Sequence, residues 1–271
     1  MRSVNSDNTN PKHEEENNME ELRRPGGELA SRPLHFFWMV DCSGSMYGEK
    51  IGTVNNAIQT CIPEMASAAE NNPNAQLLIR TLSFSTGATW LTPNPVPVES
   101  YAWDDLDANG VTDMGKAFEL LAAQLSIPPM PARALPPVLV LLSDGQPTDD
   151  YKKGLDKLKT MPWFRKAVKI AISIGQDADD EVLIDFTGNK ELVLQANNAT
   201  ALTKMIKWAS TTASMVSAPA SKPIHSVPAD NGGSAPAGDP FADSGNGGGA
   251  PLVLDMNNIP NPDDFDEGAV W

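Results

Sequence analysis

The chain has 271 residues, and 35 acidic side chains against 20 basic ones leave a formal net charge of −15. Such an excess excludes a general nucleic-acid binder unless the basic residues are segregated into a patch. The longest basic concentration, Lys152 to Lys169, is broken by Asp156 and by apolar residues and reads as the solvated face of a helix. Hydrophobic residues at 41% suffice for a core, while 6% aromatics with 23 Pro and 20 Gly point to segments that stay outside it.

Residues 1–33 are nearly devoid of apolar side chains and carry five basic against seven acidic residues. They read as a disordered leader without the apolar core of a secretory signal, and no stretch approaches the ~20 apolar residues of a membrane span. These features, with only Cys42 and Cys61 and hence no disulfide framework, predict a cytoplasmic protein with reduced thiols.

Residues 34–216 alternate short apolar runs with amphipathic stretches. The first run, Leu34 to Val40, is apolar on both faces, as a central parallel strand requires. From about Lys50 to Ala69, Ile51, Val54, Ile58, Ile62 and Met65 recur at spacings of three and four, the stripe of a helix laid on a sheet. Gln76 to Phe84 and Ala88 to Leu91 read as strands joined by Ser85-Thr86-Gly87, a hairpin that supplies an antiparallel edge. Between Trp90 and Trp103, a proline-rich segment reads as surface near the site edge, with Trp90 equally suited to end a strand in the core. Then follow a helix from Met114 to Leu125, a buried strand from Pro137 to Leu142, a helix from Tyr151 to Thr160 and a strand from Val168 to Ile174. A helix over Asp179 to Phe186, a strand over Leu192 to Leu194 and a helix over Thr200 to Ser214 complete the pattern. The alternation predicts an α/β doubly wound, mostly parallel six-stranded sheet with one antiparallel edge strand, helices on both faces, and ligands beyond the carboxyl ends of the strands.

Three loops converge at that edge. Asp41-Cys42-Ser43-Gly44-Ser45 ends the first strand with one carboxylate and two hydroxyls. Thr112 stands just before a helix, and Asp144 follows the buried strand at Leu142. Hard oxygen donors without nearby imidazole or thiolate suit Mg²⁺, Mn²⁺ or Ca²⁺ rather than zinc, and two carboxylates are too few to saturate the ion, so one coordination position stays open. Read singly, each loop is equally a turn or a helix cap.

The residues Asp41, Ser43 and Ser45 in the spacing D-x-S-x-S, followed by Thr112 and Asp144, resemble the von Willebrand factor A domain with an intact metal-ion-dependent adhesion site (MIDAS). The resemblance covers about residues 34–214. It implies a Rossmann-like fold in which Ser43, Ser45 and Thr112 bind the metal through hydroxyls, Asp41 and Asp144 hold it directly or through water, and a protein partner supplies an Asp or Glu to the last position. Phe36 to Met46, Phe84-Ser85 and Ser143 to Asp149 are similar to the bacterial tellurite-resistance TerY-type proteins. That likeness implies a non-enzymatic scaffold in a stress-response system, with a protein kinase and a PP2C-like phosphatase as partners. The chain departs from that group in its long leader, its acidic tail and Asn109-Gly110-Val111, where many relatives carry paired glycines.

Enzymatic readings lack parts. There is no G-x-x-x-x-G-K-[ST]. Ser43 stands where an aspartyl phosphotransferase would carry a second carboxylate. Of the three histidines that could serve Ser45 as a base, His13 and His225 fall in the ends expected to be disordered and His35 begins a strand far from the site edge. Cys42 reads as a packed thiol. A metal-dependent phosphohydrolase using the same ion is the remaining enzymatic alternative. Asp113 and the cluster Asp177, Asp179, Asp180 and Glu181 read as helix-start carboxylates.

From 217 to 271 the chain carries eight carboxylates against one lysine, with eight Gly and eight Pro. Residues 217–250 read as a flexible linker and 251–271 as an acidic-apolar docking peptide. One of Asp255, Asp263, Asp264, Asp266 or Glu267, with Trp271 as apolar anchor, is expected to reach the open metal position in cis or on a neighbouring molecule, or to dock a partner.

Overall fold

The computed structural model describes residues 31–70, 72, 75–217 and 271. The expected leader, linker and docking peptide lie outside these residues except for 31–33, Ser217 and Trp271.

Strand β1 (Arg32–Asp41) starts two residues before the expected domain boundary, where Arg32 Nη2 donates to the Ala134 carbonyl at 2.8 Å. Helix α1 (Glu49–Glu70) leads to β2 (Ala75–Ser85), and the tight turn at Thr86 returns the chain as β3 (Gly87–Trp90). A two-residue strand β4 (Val96–Pro97) precedes α2 (Met114–Gln124). Then come β5 (Val138–Ser143), α3 (Tyr151–Lys159), α4 (Pro162–Lys166), β6 (Val168–Ile174), α5 (Asp180–Thr187), β7 (Val193–Ala196) and α6 (Ala199–Ser217).

The sheet runs β3-β2-β1-β5-β6-β7, with β4 also on β2. Strand β1 pairs in parallel with β2 from Arg32↔Ala75 to Asp41↔Phe84, and with β5 from Phe36↔Val138 to Val40↔Leu142. The β5-β6 and β6-β7 pairs are also parallel, while β3 and β4 run antiparallel to β2. Among the described residues the expected six strands are therefore seven. The extra one, β4, escapes a pattern search because it holds two residues, one of them Pro97, which has no N–H to give a ladder and is tolerated only at an edge.

Both faces of the sheet are covered. Alternation along β1 sends Phe36, Trp38 and Val40 toward α1 and α6, where Val54, Ile58, Leu202 and Ile206 close one apolar layer. Phe37 and Met39 face the other way, onto Phe118 and Leu121 of α2, Leu155 of α3 and Phe186 of α5. Among the described residues no helix is long and apolar enough to cross a membrane.

Helix α4, absent from the sequence expectation, begins with Pro162 at its first turn, where the missing N–H costs nothing, and buries Trp163 and Phe164. Helix α5 is bounded as its sequence directs: Asp179 accepts from the Glu181 N–H at its start, and Gly188, at φ 74°, ends it in the left-handed region.

Candidate metal centre

Five oxygen-bearing side chains stand at the carboxyl edge of the sheet because β1 and β5 are adjacent parallel strands that end there. Asp41 is the last residue of β1, fully buried, and Asp144 follows β5, 2% exposed. Asp41 is held at both oxygens: Ser43 N–H donates to Oδ1 at 2.8 Å, and Ser143 Oγ donates to Oδ2 at 2.6 Å. Ser143 Oγ also accepts from the Gly145 N–H at 2.8 Å, so one hydroxyl joins the β1 and β5 loops. The Ser43 and Ser45 hydroxyls are hydrogen-bonded to each other at 3.0 Å.

Thr112 arrives on the segment before α2, which is bonded into both neighbouring loops. Gly44 N–H donates to the Gly110 carbonyl at 3.0 Å, and Asn109 N–H to the Cys42 carbonyl at 2.8 Å. Thr112 N–H donates to Thr148 Oγ1 at 3.0 Å, and Thr148 N–H returns a bond to the Thr112 carbonyl at 2.8 Å. Two glycines are obligatory here. At Gly110, φ 77°, a Cβ would fall 2.4 Å from Thr86 Oγ1, and at Gly145, φ 67°, 2.4 Å from the Asp179 carbonyl oxygen.

Burial pushes the Asp41 carboxyl up to about 6, against the opposing bonds from Ser143 and Ser43, and the neighbouring Asp144 charge adds to the rise. Asp144 Oδ1 is buried with no hydrogen-bond partner. Among the described residues neither carboxylate has an ion-pair partner. Two buried carboxylates without a cation, one of them with an orphaned oxygen, are an arrangement that a bound dication resolves. The donors fit such an ion. The side chains at these loops are two carboxylates, Asp41 and Asp144, and the hydroxyls of Ser43, Ser45 and Thr112, a composition suited to a hard metal.

Other expectations are refined by the geometry. Asp113 stands at the N-cap of α2 but its side chain makes no cap bond there. It accepts instead from the Gly87 N–H at 2.8 Å and from Lys116 Nζ, whose proximity holds its carboxyl below the usual range. The carboxylate that caps α2 comes from the β5-α3 loop: Asp149 accepts from the N–H groups of Gly115 and Lys116 at 2.9 and 3.1 Å. Ser143, Thr148 and Asp149 therefore brace the site, with roles that the sequence reading did not assign them.

Cys42 is buried, and its thiol is pushed up to about 12 by burial, with Asp41 and Asp107 adding to the shift, which disfavours the thiolate form. His35, the one histidine among the described residues, lies toward the opposite end of β1. The two tryptophans of the proline-rich segment pack inward. Trp90 lies under the Arg80 guanidinium, 4.2 Å from the ring centre, and Trp103 donates from Nε1 to Asn55 Oδ1 at 3.3 Å. Asp255, Asp263, Asp264, Asp266 and Glu267 lie outside the described residues. Trp271 is placed at the turn after β7, its N–H donating to the Asn197 carbonyl at 3.1 Å.

The family model of the von Willebrand factor type A domain matches residues 37–208, which is more than half of the chain and contains all five donors. The chain belongs to the von Willebrand factor type A domain family. No curated protein matches its sequence. The A domain shares its fold with the pilus adhesin SpaC from Lactobacillus rhamnosus GG, in its open conformation (14% identity, TM-score 0.55, 69% of this chain and 31% of that one). A von Willebrand factor type A protein from Catenulispora acidiphila is similar (15%, TM-score 0.50, 68% and 43%). So is proximal thread matrix protein 1 from the mussel byssus, described with a zinc-occupied MIDAS motif (17%, TM-score 0.50, 69% and 47%). The chain spans less than half the length of each of these solved chains.

Proposed function

We propose that this A domain is a non-enzymatic, metal-dependent protein-interaction module. Asp41, Ser43, Ser45, Thr112 and Asp144 hold one divalent cation, Mg²⁺ or in its place Mn²⁺ or Ca²⁺, and a partner's Asp or Glu fills the open position. The observation that carries this reading is the buried, unpartnered Asp144 Oδ1 beside buried Asp41. An ion held largely by neutral hydroxyls keeps much of its charge and attracts an incoming carboxylate. The zinc-occupied MIDAS of the mussel protein supports a divalent ion in a domain of this fold.

Tyr47 and Val111, 79% and 46% exposed, adjoin the donors on two of the three loops and would meet the residues flanking the partner's carboxylate. The setting we propose is a cytoplasmic stress-response system resembling tellurite resistance, with a protein kinase and a PP2C-like phosphatase as partners. The likeness of Phe36 to Met46 and of Ser143 to Asp149 to TerY-type proteins supports it.

Thermal melting of the metal-stripped full-length chain against increasing Mg²⁺ tests the metal reading. At 100-fold over Kd the ion should add about 2.7 kcal/mol and raise Tm by about 5–10 °C, with Asp144→Ala abolishing the rise. A wild-type Tm indifferent to Mg²⁺, Mn²⁺ and Ca²⁺ refutes it. Pull-down of the kinase and phosphatase candidates with and without EDTA tests the partners, which should be lost in EDTA.

A further inference from the structure

Among the described residues strand β7 ends the sheet, with no strand paired beyond it. The turn after β7 is well ordered by its own bonds. Gly175 N–H donates to the Ala196 carbonyl at 2.9 Å, and Asn198 caps α6, its Oδ1 accepting from Ala201 N–H at 2.8 Å and its carbonyl from Leu202 N–H at 3.0 Å. Between these two residues, the Asn197 carbonyl accepts from Trp271 N–H at 3.1 Å. The Trp271 ring packs against the apolar layer formed by the α1-α6 face, leaving the residue half-buried. One main-chain bond to the turn carbonyl fixes the backbone at Trp271, and the indole laid on apolar surface supplies the buried area.

We propose that the β7-α6 turn is a docking seat for Trp271 of the same chain, a reversible latch at the carboxyl end of the border strand β7, the end of the sheet at which the loops after β1 and β5 also lie. The connection allows it: α6 covers about 28 Å at 1.5 Å per residue, and the 53 residues 218–270 have ample contour to return over that length. The seat is weak by construction. Trp271 Nε1 is buried without an acceptor among the described residues, so docking gives up the bond that indole makes with water. Tethering offsets this through an effective concentration of about millimolar. A partner that takes Trp271 itself must first lift the ring from its seat, so latch and partner compete.

The test uses a fluorescein-labelled peptide of residues 261–271, titrated with full-length protein in EDTA and followed by fluorescence polarisation. The Trp271→Ala chain, whose seat is vacated, should bind the peptide saturably. The wild-type chain, whose own Trp271 fills the seat, should bind at least about ten-fold more weakly, and a peptide carrying Trp271→Ala should not bind at all. No saturable binding to the Trp271→Ala chain, equal binding by both chains, or equal binding of both peptides overturns the proposal. A wild-type dimer in sedimentation that Trp271→Ala dissolves overturns the same-chain assignment. Limited proteolysis of the wild-type chain gives a second readout: excess peptide should displace the tail and speed cleavage within 218–270, and an unchanged rate counts against the latch. EDTA removes metal capture of carboxylates, so failure here leaves the Mg²⁺ result untouched, and the reverse.

Discussion

Asp41 and His35 sit on the same strand and respond to acid in opposite directions. Asp41, pushed up to about 6, is a buried carboxylate whose charged form is costly when no cation accompanies it. In metal-free protein it therefore contributes stability that is fully present below about pH 3.8 and lost as pH rises through 6, about 3 kcal/mol for a shift of that size. His35 is buried with neither ring nitrogen bonded, stacked 5.9 Å from Phe37, and burial lowers it to about 4. Its contribution is present above pH 6.5 and lost as pH falls toward 4, again about 3 kcal/mol. The two slopes offset each other in wild-type apoprotein. His35→Leu should expose the Asp41 slope alone, so that urea unfolding of that variant shows rising stability from pH 6.5 to 4.5, where the wild type stays nearly flat. Because the metal needs Asp41 ionised, Mg²⁺ affinity measured by calorimetry should fall about ten-fold for each pH unit below 6, and Asp41→Asn should remove both the binding and its pH dependence.

The candidate donors Asp41, Ser43, Ser45, Thr112 and Asp144 stand out in the sequence because each closes an apolar run or precedes an amphipathic one. Their supports do not. Ser143 reaches Asp41 across 102 residues, Thr148 reaches Thr112 across 36, and Asp149 reaches Gly115 across 34, pairings that only the folded sheet edge creates.

At the scale of elements, β1 and α1 are readable because ten and 22 residues give a period room to repeat. Strand β4 and helix α4, at two and five residues, do not, and tertiary contacts alone sustain them. The crossing of α2 and α3 is a further case. Gly154 lies so close to the Gly115 backbone that an added Cβ would stand 2.4 Å from its carbonyl oxygen. Gly154→Ala should force the helices apart and cost about 1–3 kcal/mol in urea unfolding. Since Gly115 is also where Asp149 caps α2, the same variant should weaken Mg²⁺ binding, whereas Gly52→Ala, with open space around its Cβ, should do neither.

Across the whole molecule, the proposed metal edge sets exposed Tyr47 and Val111 beside Ser45 and Thr112. If the ion supplies attraction and the flanking side chains supply specificity, Tyr47→Ala should weaken capture of a carboxylate-bearing partner about ten-fold while leaving the Mg²⁺-dependent Tm unchanged, a split that surface plasmon resonance and melting curves together resolve.

The short antiparallel strands on β2 carry a consequence for behaviour at high concentration. At 11 residues β2 would present a long row of free N–H and carbonyl groups, a template on which a second molecule could polymerise. Strand β3 occupies the row beside Leu82 to Ser85, and β4 covers Leu78 and Ile79 with a residue pair in which Pro97 offers no N–H. The margin left on that side is broken and proline-blunted, and on the other side the border among the described residues is the four-residue β7. The fold therefore keeps its central strands from seeding filaments through the same irregular pieces that a pattern search passes over.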